Sequence, residues 1–166
     1  MIFVTVGTHE QQFNRLVSYI DKLKADGVID EEVIIQTGFS TYCPKNCKWS
    51  KLIPYNEMEQ NIMNARIVVT HGGPASFIMP LRMGKIPIVV PRQVEFFEHV
   101  NNHQLDFCRE VAKRKNNIIV IDNIEDLKSV IFNYEKIISD MNSKIQSSNK
   151  AFNDSIEKIV TELFNK

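Results

Sequence analysis

Short apolar runs rich in β-branched residues recur along this chain of 166 residues, and stretches with helical spacing separate most of them. Because the runs are apolar at nearly every position, they are typical of parallel strands that are covered on both faces. The pattern therefore predicts an α/β fold with a doubly wound parallel sheet. The predicted strands are 2–6, 32–36, 66–70, 86–90 and 117–121, and the predicted helices are 10–24, 56–64, 75–83, 99–114, 123–145 and 148–164.

Three of the predicted helices have recognisable starts. Pro74 suits the first turn of a helix, where its missing N–H is not needed. Asn56 and Asn123 each precede an acidic residue by three positions, which resembles an N-terminal capping pattern. The segment 37–51 shows neither the spacing of apolar residues typical of a helix nor the apolar run typical of a buried strand, so it is predicted to be an irregular loop.

Composition limits the domain count and the type of partner. A hydrophobic content of 43% is enough for one compact core, and the chain is short for two. We predict one domain over residues 1–166, with a C-terminal helical region from about residue 123. The 20 basic and 20 acidic residues give zero formal charge, so the chain lacks the general positive field that nucleic-acid binding uses.

The cysteines and the N-terminus favour a reduced, cytoplasmic protein. The three cysteines are an odd number, and the chain begins with a strand-like segment in place of a signal peptide. No apolar run approaches the roughly 18 residues that suggest a membrane span. We therefore expect any membrane attachment to be peripheral and indirect.

The stretch "IVVTHGGPAS", residues 67–76, is typical of a strand-to-helix turn that binds an anion. Gly72 and Gly73 would let the backbone approach a ligand closely, and Pro74 can start a helix whose free N–H groups face a phosphate. The alternative is a tight turn that needs glycine for its shape alone. His71 is either a ligand contact or a structural histidine. The stretch is neither a P-loop nor a GxGxxG fingerprint.

Two further regions follow predicted strands and reach the same sheet edge. Gly7, Thr8, His9 and Glu10 come directly after the first strand. The segment "PRQVEFFEHVNNHQ", residues 91–104, offers the mixed donors and acceptors that sugar hydroxyls require. Its candidate ligands are Glu98, His99, Asn101, His103 and Gln104, while Phe96 and Phe97 are either core residues or face a partner.

Metal binding is not expected. His99 and His103 have the spacing of zinc ligands on one helix face, but no convincing third and fourth ligands accompany them. Cys43 and Cys47 could join such a site, yet a lone loop pair is more often two reduced thiols.

The ordered motifs "VTVGT", "IPYNEM", "ARIVVTHGGPASF" and "GKIPIVVPRQ…EHVNNHQ" resemble the nucleotide-sugar-binding half of MurG-like GT-B glycosyltransferases, the C-terminal domain of glycosyltransferase family 28. They are more similar still to small bacterial capsule and exopolysaccharide glycosyltransferase subunits. They also resemble the eukaryotic catalytic subunit that forms dolichol-linked chitobiose from UDP-N-acetylglucosamine. The resemblance covers residues 1–125 well and the C-terminal helices loosely. It implies a Rossmann-like domain that is one half of a GT-B fold.

The resemblance implies the donor-binding, catalytic subunit of an inverting UDP-hexose-dependent transferase in capsular or exopolysaccharide biosynthesis. Its partners would be a lipid-linked saccharide acceptor and a membrane-associated acceptor-binding subunit, which holds it at the inner face of the membrane; no cofactor is implied. The uracil would lie near residues 53–55, the diphosphate at 72–76 and the hexose at 103–104. The substrate-binding residues would be Gly7, Thr8, Tyr55, His71, Gly72, Gly73, Pro74, Ala75, Ser76, Glu98, His99, Asn101, His103 and Gln104.

One departure from the family pattern concerns the ribose. MurG-like enzymes carry an acidic residue for the ribose hydroxyls in the helix after the glycine turn, where this chain has Met79. Glu95 or Glu98 could substitute for it.

The resemblance does not identify a general base in this chain, because MurG-like enzymes usually carry that residue in the acceptor domain. His9 and Glu10, at the mouth of the first turn, are the local candidates. The main alternative function is a non-catalytic module that senses a nucleotide sugar or holds a partner. A dinucleotide-dependent oxidoreductase is disfavoured, because the chain lacks GxGxxG and the usual acidic residue about twenty positions later.

Overall fold

The computed structural model describes residues 1–141, and the chain divides after Phe132 into two compact units. The first unit, Met1–Phe132, contains the sheet. Of the second unit, residues 133–141 are described, and residues 134–141 are helical. The predicted helix 148–164 and the end of the predicted helix 123–145 lie outside the described residues. The prediction of one domain over the whole chain stays a prediction.

The sheet is made of parallel strands. Within the described residues its strands are β1 (Ile2–Thr5), β2 (Val33–Gln36), β3 (Lys48–Ser50), β4 (Ile67–His71), β5 (Ile88–Val90) and β6 (Ile119–Val120). Their order is β3-β2-β1-β4-β5-β6. The direction of chain progression reverses between β1 and β4, which is the switch point where ligands bind in sheets of this kind. The prediction of a Rossmann-like α/β sheet is confirmed.

Three helices begin later than predicted, and one of them is the helix predicted from residue 123, which begins at Asp126. The helices of the first unit are α1 (Asn14–Ala25), α2 (Tyr55–Asn64), α3 (Pro74–Arg82), α4 (His103–Lys115) and α5 (Asp126–Phe132). Helices α1 and α4 each begin four residues after their predicted start. In both places the chain forms a polar turn after the strand, and side chains from distant parts of the sequence hold it.

Strand β3 was not predicted. Lys48, Trp49 and Ser50 are all exposed at the edge of the sheet, so the apolar run that marks a buried strand is missing. The preceding loop is fixed to α1 by Asp21, whose carboxylate accepts hydrogen bonds from the backbone N–H groups of Lys45 and Asn46.

The predicted helix starts have different outcomes. Pro74 occupies the first turn of α3, as predicted. The capping role of Asn56 is wrong, because α2 already begins at Tyr55 and has no side-chain cap. Asn123 does accept a hydrogen bond from the Glu125 N–H at 3.2 Å, just before α5.

The helices pack on the sheet through aliphatic and aromatic side chains. Ile62 of α2 packs with Phe3 of β1, and Phe77 of α3 packs with Cys108 of α4 and Val89 of β5. The inner strands β1, β4 and β5 are buried along their whole length, as parallel strands with cover on both faces must be. This packing fixes the carboxyl ends of β1 and β4, where the candidate site lies.

Candidate functional site

A cavity of about 800 Å³ opens at the carboxyl ends of β1 and β4. Cavities of this size commonly hold small ligands. Ten of the residues named from the sequence line it: Gly7, Thr8, His9, Glu10, Tyr55, His71, Gly73, Pro74, Ala75 and Ser76. The other lining residues are Thr5, Gln36, Ile53, Met58, Ile62 and Met79. The fold thus brings the two glycine turns to one cavity, while the ligand that each residue contacts stays a prediction.

The imidazole ring of His71 lies between the two glycine turns. A Cβ atom added to Gly7 would lie 2.4 Å from His71 Cε1, and one added to Gly73 would lie 2.4 Å from His71 Nε2. Close-packed interiors do not accommodate such short distances between heavy atoms. Gly7 also has a φ of +75°, a conformation that side chains disfavour. The two glycines therefore leave room for the histidine ring that forms the cavity wall between the turns.

His71 is uncharged at neutral pH. Its burial, followed by the nearby positive charge of Arg92, lowers the pKa of His71 to about 4. A neutral imidazole supplies one donor and one acceptor but no net charge. The start of α3 offers an anion the positive end of the helix dipole and the Ala75 N–H, since Pro74 has no N–H and the Ser76 N–H donates to the Gly73 carbonyl oxygen at 3.0 Å.

Arg92 supports the first turn and is completely buried. Its Nη1 donates to the carbonyl oxygens of Gln11 at 3.0 Å and Gln12 at 2.8 Å, and its Nη2 donates to the carbonyl oxygen of Val6 at 3.0 Å. The guanidinium carbon lies 4.7 Å from the centre of the Phe13 ring. No local sequence pattern predicts this role, because the acceptors lie 80 to 86 positions away along the chain.

The two candidate bases differ in the lone pairs that they offer. His9 Nδ1 accepts a hydrogen bond from the Gln11 N–H at 3.2 Å, so the proton of a neutral His9 ring lies on Nε2 and makes that nitrogen a donor. Among the described residues that line the cavity, Glu10 carries the only carboxylate. Glu10 is therefore the better placed of the two to accept a proton.

Glu98 does not line the cavity, because its carboxylate is buried inside the fold. Arg15 donates from Nε to Oε1 at 2.9 Å and from Nη2 to Oε2 at 2.8 Å. The Gln93 N–H donates to Oε2 at 3.1 Å. This bidentate pair joins the segment after β5 to α1. A carboxylate held in this way does not fit the role of replacing the missing ribose-binding acid.

Three other residues of the third region also lie outside the cavity lining. The ring centre of His99 is 5.8 Å from that of His9, so His99 adjoins the first turn without lining the cavity. Asn101 Oδ1 accepts a hydrogen bond from the N–H of His103, the exposed first residue of α4, at 3.2 Å. Asn101 thus orders the start of the helix.

Gln104 and Gly72 pack against each other beneath the second glycine turn. A Cβ atom on Gly72 would lie 3.1 Å from Gln104 Oε1 and 3.1 Å from Cys108 Sγ. Gln104 Oε1 accepts a hydrogen bond from the Arg92 N–H at 3.3 Å. Gly72 is therefore required for close packing against α4, and it does not line the cavity.

Comparison with known families agrees with this geometry. Residues 1–162 match the family described as "Glycosyltransferase family 28 C-terminal domain". The chain belongs to this family. No curated protein matches the sequence significantly.

Solved structures show that this family 28 domain has the fold of glycosyltransferase domains. It is similar to the glycotransferase of kitacinnamycin, with a TM-score of 0.64 and 15% identity over 90% of this chain and 39% of that one. It is also similar to the glycosyltransferase SnogD from Streptomyces nogalater, with a TM-score of 0.50 and 16% identity over 73% of this chain and 31% of that one. The family 28 domain thus spans well under half the length of either protein.

The apolar lining residues of the cavity in the family 28 domain lie together and form what we call its apolar end. They are Ile53, Met58, Ile62 and Met79, which pack in one hydrophobic cluster with Phe3. Tyr55 also lines the cavity and is 66% exposed, and a hydrogen bond with Glu59 raises its pKa. A planar ring can pack against such a surface, while the polar turns remain free for charged groups.

Thr5 and Gln36 line the cavity of the family 28 domain but were not predicted. Thr5 Oγ1 donates to Gln36 Oε1 at 2.6 Å and accepts from the Gly7 N–H at 3.2 Å. The available signal was a polar residue at the carboxyl end of an otherwise apolar strand, and both residues have it. The pair ties the end of β2 to the first turn.

The cysteines and the other potential metal-ligating side chains of the described residues are not clustered. Among residues 1–141, no group of three or more His, Cys, Asp or Glu side chains is arranged to hold a metal ion. Cys43, Cys47 and Cys108 are free thiols, and burial raises the pKa of Cys47 and of Cys108 to about 12.

No helix in the described part of the chain has the length and apolar character needed to cross a bilayer.

Proposed function

We propose that this family 28 domain is the donor-binding, catalytic subunit of an inverting UDP-hexose transferase in capsular or exopolysaccharide biosynthesis. It acts with a membrane-associated partner that binds a lipid-linked saccharide acceptor, and it reaches the inner face of the membrane through that partner. The observation that carries the proposal is the convergence of two glycine turns and a helix start on one cavity. Membership of the family supports sugar transfer.

The two ends of the cavity match the two chemical parts of a nucleotide sugar. The N-terminus of α3 binds the diphosphate through the Ala75 N–H and the positive end of the helix dipole, because Pro74 has no N–H and the Ser76 N–H donates to the Gly73 carbonyl oxygen at 3.0 Å. The apolar end, with Tyr55, packs against the uracil ring. The anion therefore needs no metal ion, and we propose that no cofactor is required for donor binding.

Transfer with inversion requires a base on the acceptor side of the anomeric carbon. The base takes the proton of the acceptor hydroxyl, the hydroxyl oxygen bonds to the anomeric carbon, and the bond from that carbon to the β-phosphate oxygen breaks. The α3 N-terminus stabilises the charge that develops on UDP. Glu10 is the base of this chain, if the partner does not supply one, because it carries the carboxylate of the cavity lining. His9 then donates a hydrogen bond to the donor from Nε2.

The ribose is held by groups other than the acidic residue of MurG-like enzymes. Met79 lines the cavity at that position, Glu98 is paired with Arg15, and Glu95 does not line the cavity. The hydrogen-bonding side chains that remain near the apolar end include Tyr55 and Gln36. We propose that these two take over the ribose hydroxyls.

Calorimetric titration with UDP, UDP-galactose, UDP-glucose, UDP-glucuronate and UDP-N-acetylglucosamine tests donor binding. We expect UDP and one of the sugars to bind, with the same affinity in EDTA as in magnesium. No binding of UDP would contradict the donor-binding proposal, and a strict need for a divalent ion would contradict the metal-free site.

A non-catalytic binding module is the second candidate function. It is favoured by the exposure of both candidate bases, Glu10 and His9, at the cavity. Transfer assays on a lipid-linked acceptor, with and without the partner, separate the two. Transfer that occurs only when this chain and its partner are both present supports the subunit model. Donor binding without transfer in either assay supports the binding module. Full transfer activity of the isolated chain excludes the model in which it is half of an enzyme.

A further inference from the structure

The segment after β5 presents exposed apolar side chains at the rim of the cavity. We call Val94–Val100 the aromatic loop. Within it, Phe97 is 87% exposed, Val100 is 77% exposed and Phe96 is 42% exposed. The loop adjoins the cavity, because the His99 ring lies 5.8 Å from that of the lining residue His9. A cluster of exposed apolar residues of this kind marks an interaction surface more often than scattered single residues do.

The aromatic loop holds one of its residues in an unfavourable backbone conformation. Phe97 has a φ of +56°, in the left-handed region that a bulky side chain rarely adopts. The loop is anchored on both sides of this residue, by the buried Glu98 carboxylate on Arg15 and by the Phe96 ring, whose centre lies 4.5 Å from the Arg15 guanidinium carbon. Gln12 Nε2 also donates to the Phe96 carbonyl oxygen at 3.3 Å. A surface that is ordered in advance loses little entropy when it binds.

We propose that the aromatic loop docks a second protein domain, which closes the donor cavity and presents the acceptor, through an apolar socket with basic side chains at its rim. This inference rests on the proposed function. The chain spans 31% and 39% of the two matched glycosyltransferases, so each of them carries most of its length beyond the shared part. Positioning an acceptor opposite a bound donor needs such additional protein.

The charges near the loop favour a protein partner over a membrane. In segments 7–12 and 93–106, the exposed residues with a formal charge are Glu10, Glu95 and Asp106, all of them acidic. Anionic lipid surfaces attract lysine and arginine clusters and repel carboxylates. A second copy of this chain would bring the same acidic residues together, which is unfavourable. A partner with basic residues around an apolar socket complements both the exposed apolar side chains of the loop and the acidic residues near it.

The test compares Phe97→Asn with Phe132→Asn, in the full chain produced together with a membrane-associated subunit that binds the lipid-linked acceptor. Phe132 is 83% exposed and ends α5, so its substitution removes a similar apolar surface elsewhere. Asparagine tolerates the left-handed conformation, so Phe97→Asn should fold with an unchanged or higher melting temperature. We expect Phe97→Asn to weaken partner binding at least tenfold, on the order of a well-packed interface residue, and Phe132→Asn to leave it unchanged.

Equal partner affinities of the two variants would overturn the docking proposal. It would also be overturned if wild-type chain floated with phosphatidylglycerol vesicles, or formed dimers in sedimentation, and Phe97→Asn abolished either behaviour. Titration of the same samples with UDP distinguishes a failure of the docking proposal from a failure of the proposed donor-binding function. If the wild type binds UDP but Phe97→Asn binds the partner as tightly as the wild type does, the docking proposal fails and the proposed donor site is unaffected. If the wild type does not bind UDP, the result counts against the proposed function.

Discussion

Two regions of this domain carry polar residues directly after a buried strand, and they use them differently. After β1 and β4, the turns at Gly7 and Gly73 leave their polar groups at the cavity. After β5, the segment turns its charged and amide groups inward, with Glu98 bonded to Arg15 and Gln104 bonded to the Arg92 backbone. The first region lines the site and the second supports it.

The difference lies in the partners that the rest of the chain supplies. A carboxylate can be buried when a guanidinium meets it in bidentate geometry, and Arg15 provides that from α1. Within residues 1–141 no arginine pairs with Glu10, which stays exposed at the cavity. A polar residue at the end of a strand is therefore a candidate ligand residue only if no charged side chain from a distant part of the sequence pairs with it and buries it.

Glu98→Ala is the strongest test of this division. It leaves the Arg15 guanidinium buried without its carboxylate, and breaking a buried pair costs about 3–5 kcal/mol of unfolding free energy. Urea denaturation should show that loss, while UDP affinity of the folded fraction stays unchanged. Arg109→Ala is the matched control, because the Arg109–Asp122 pair is about half exposed and should contribute less than about 1 kcal/mol.

A stable Glu98→Gln variant that lost affinity for UDP-sugars would break the comparison. It would place the Glu98 carboxylate at the ligand after all, as the sequence first indicated. Glutamine keeps the shape of the side chain and removes the charge, so this variant separates packing from charge.

The second test concerns the cavity wall and uses pH. The native pKa of His71 is lowered to about 4, below the roughly 6.5 of an unfolded histidine, so the unfolded chain binds more protons between these values. The stability that neutral His71 contributes is therefore present above about pH 6.5 and is lost as the pH falls towards 4. The loss amounts to at most about 3 kcal/mol. His71→Asn should flatten this part of the curve of urea midpoint against pH, and an unchanged curve would contradict the assignment.

Much of the fold follows from sequence patterns, and the site follows from them in part. Apolar runs such as residues 67–69 identify buried parallel strands, whereas the exposed Lys48–Ser50 has no such pattern. The two turns lie at one sheet edge because all the strands are parallel. Arg15 and Arg92 could not be assigned, because their partners are brought to them only by tertiary packing.

The third test addresses the reason for the glycines. Gly73→Val should weaken UDP binding about a hundredfold, or about 2.7 kcal/mol, because its side chain takes the space of the His71 ring and of the ligand. Circular dichroism should report an intact fold.

The two causes can be separated by placing Gly73→Ala in wild type and in His71→Ala. Gly73 has a φ of −73°, so alanine is tolerated there once the imidazole is gone. If collision with His71 is the main cause, Gly73→Ala adds little loss to the His71→Ala background. Equal losses in both backgrounds would assign the space to the phosphate, and no loss in either would show that UDP binding does not require glycine at this position.

The smallest expected effects belong to the start of α4, where the family resemblance places the hexose but the structure places no cavity lining. His103 is exposed there, while Gln104 is packed on Gly72 and bonded to the Arg92 N–H. If His103 contacts the sugar, His103→Ala should reduce the affinity for the UDP-sugar by about 0.5–1.5 kcal/mol and leave that for UDP unchanged. Gln104→Ala should lose some affinity for both, because it also loosens the segment that supports the first turn. Calorimetry with UDP and the preferred UDP-sugar measures both differences, and an equal loss for the two ligands in His103→Ala would remove the hexose from this end of α4.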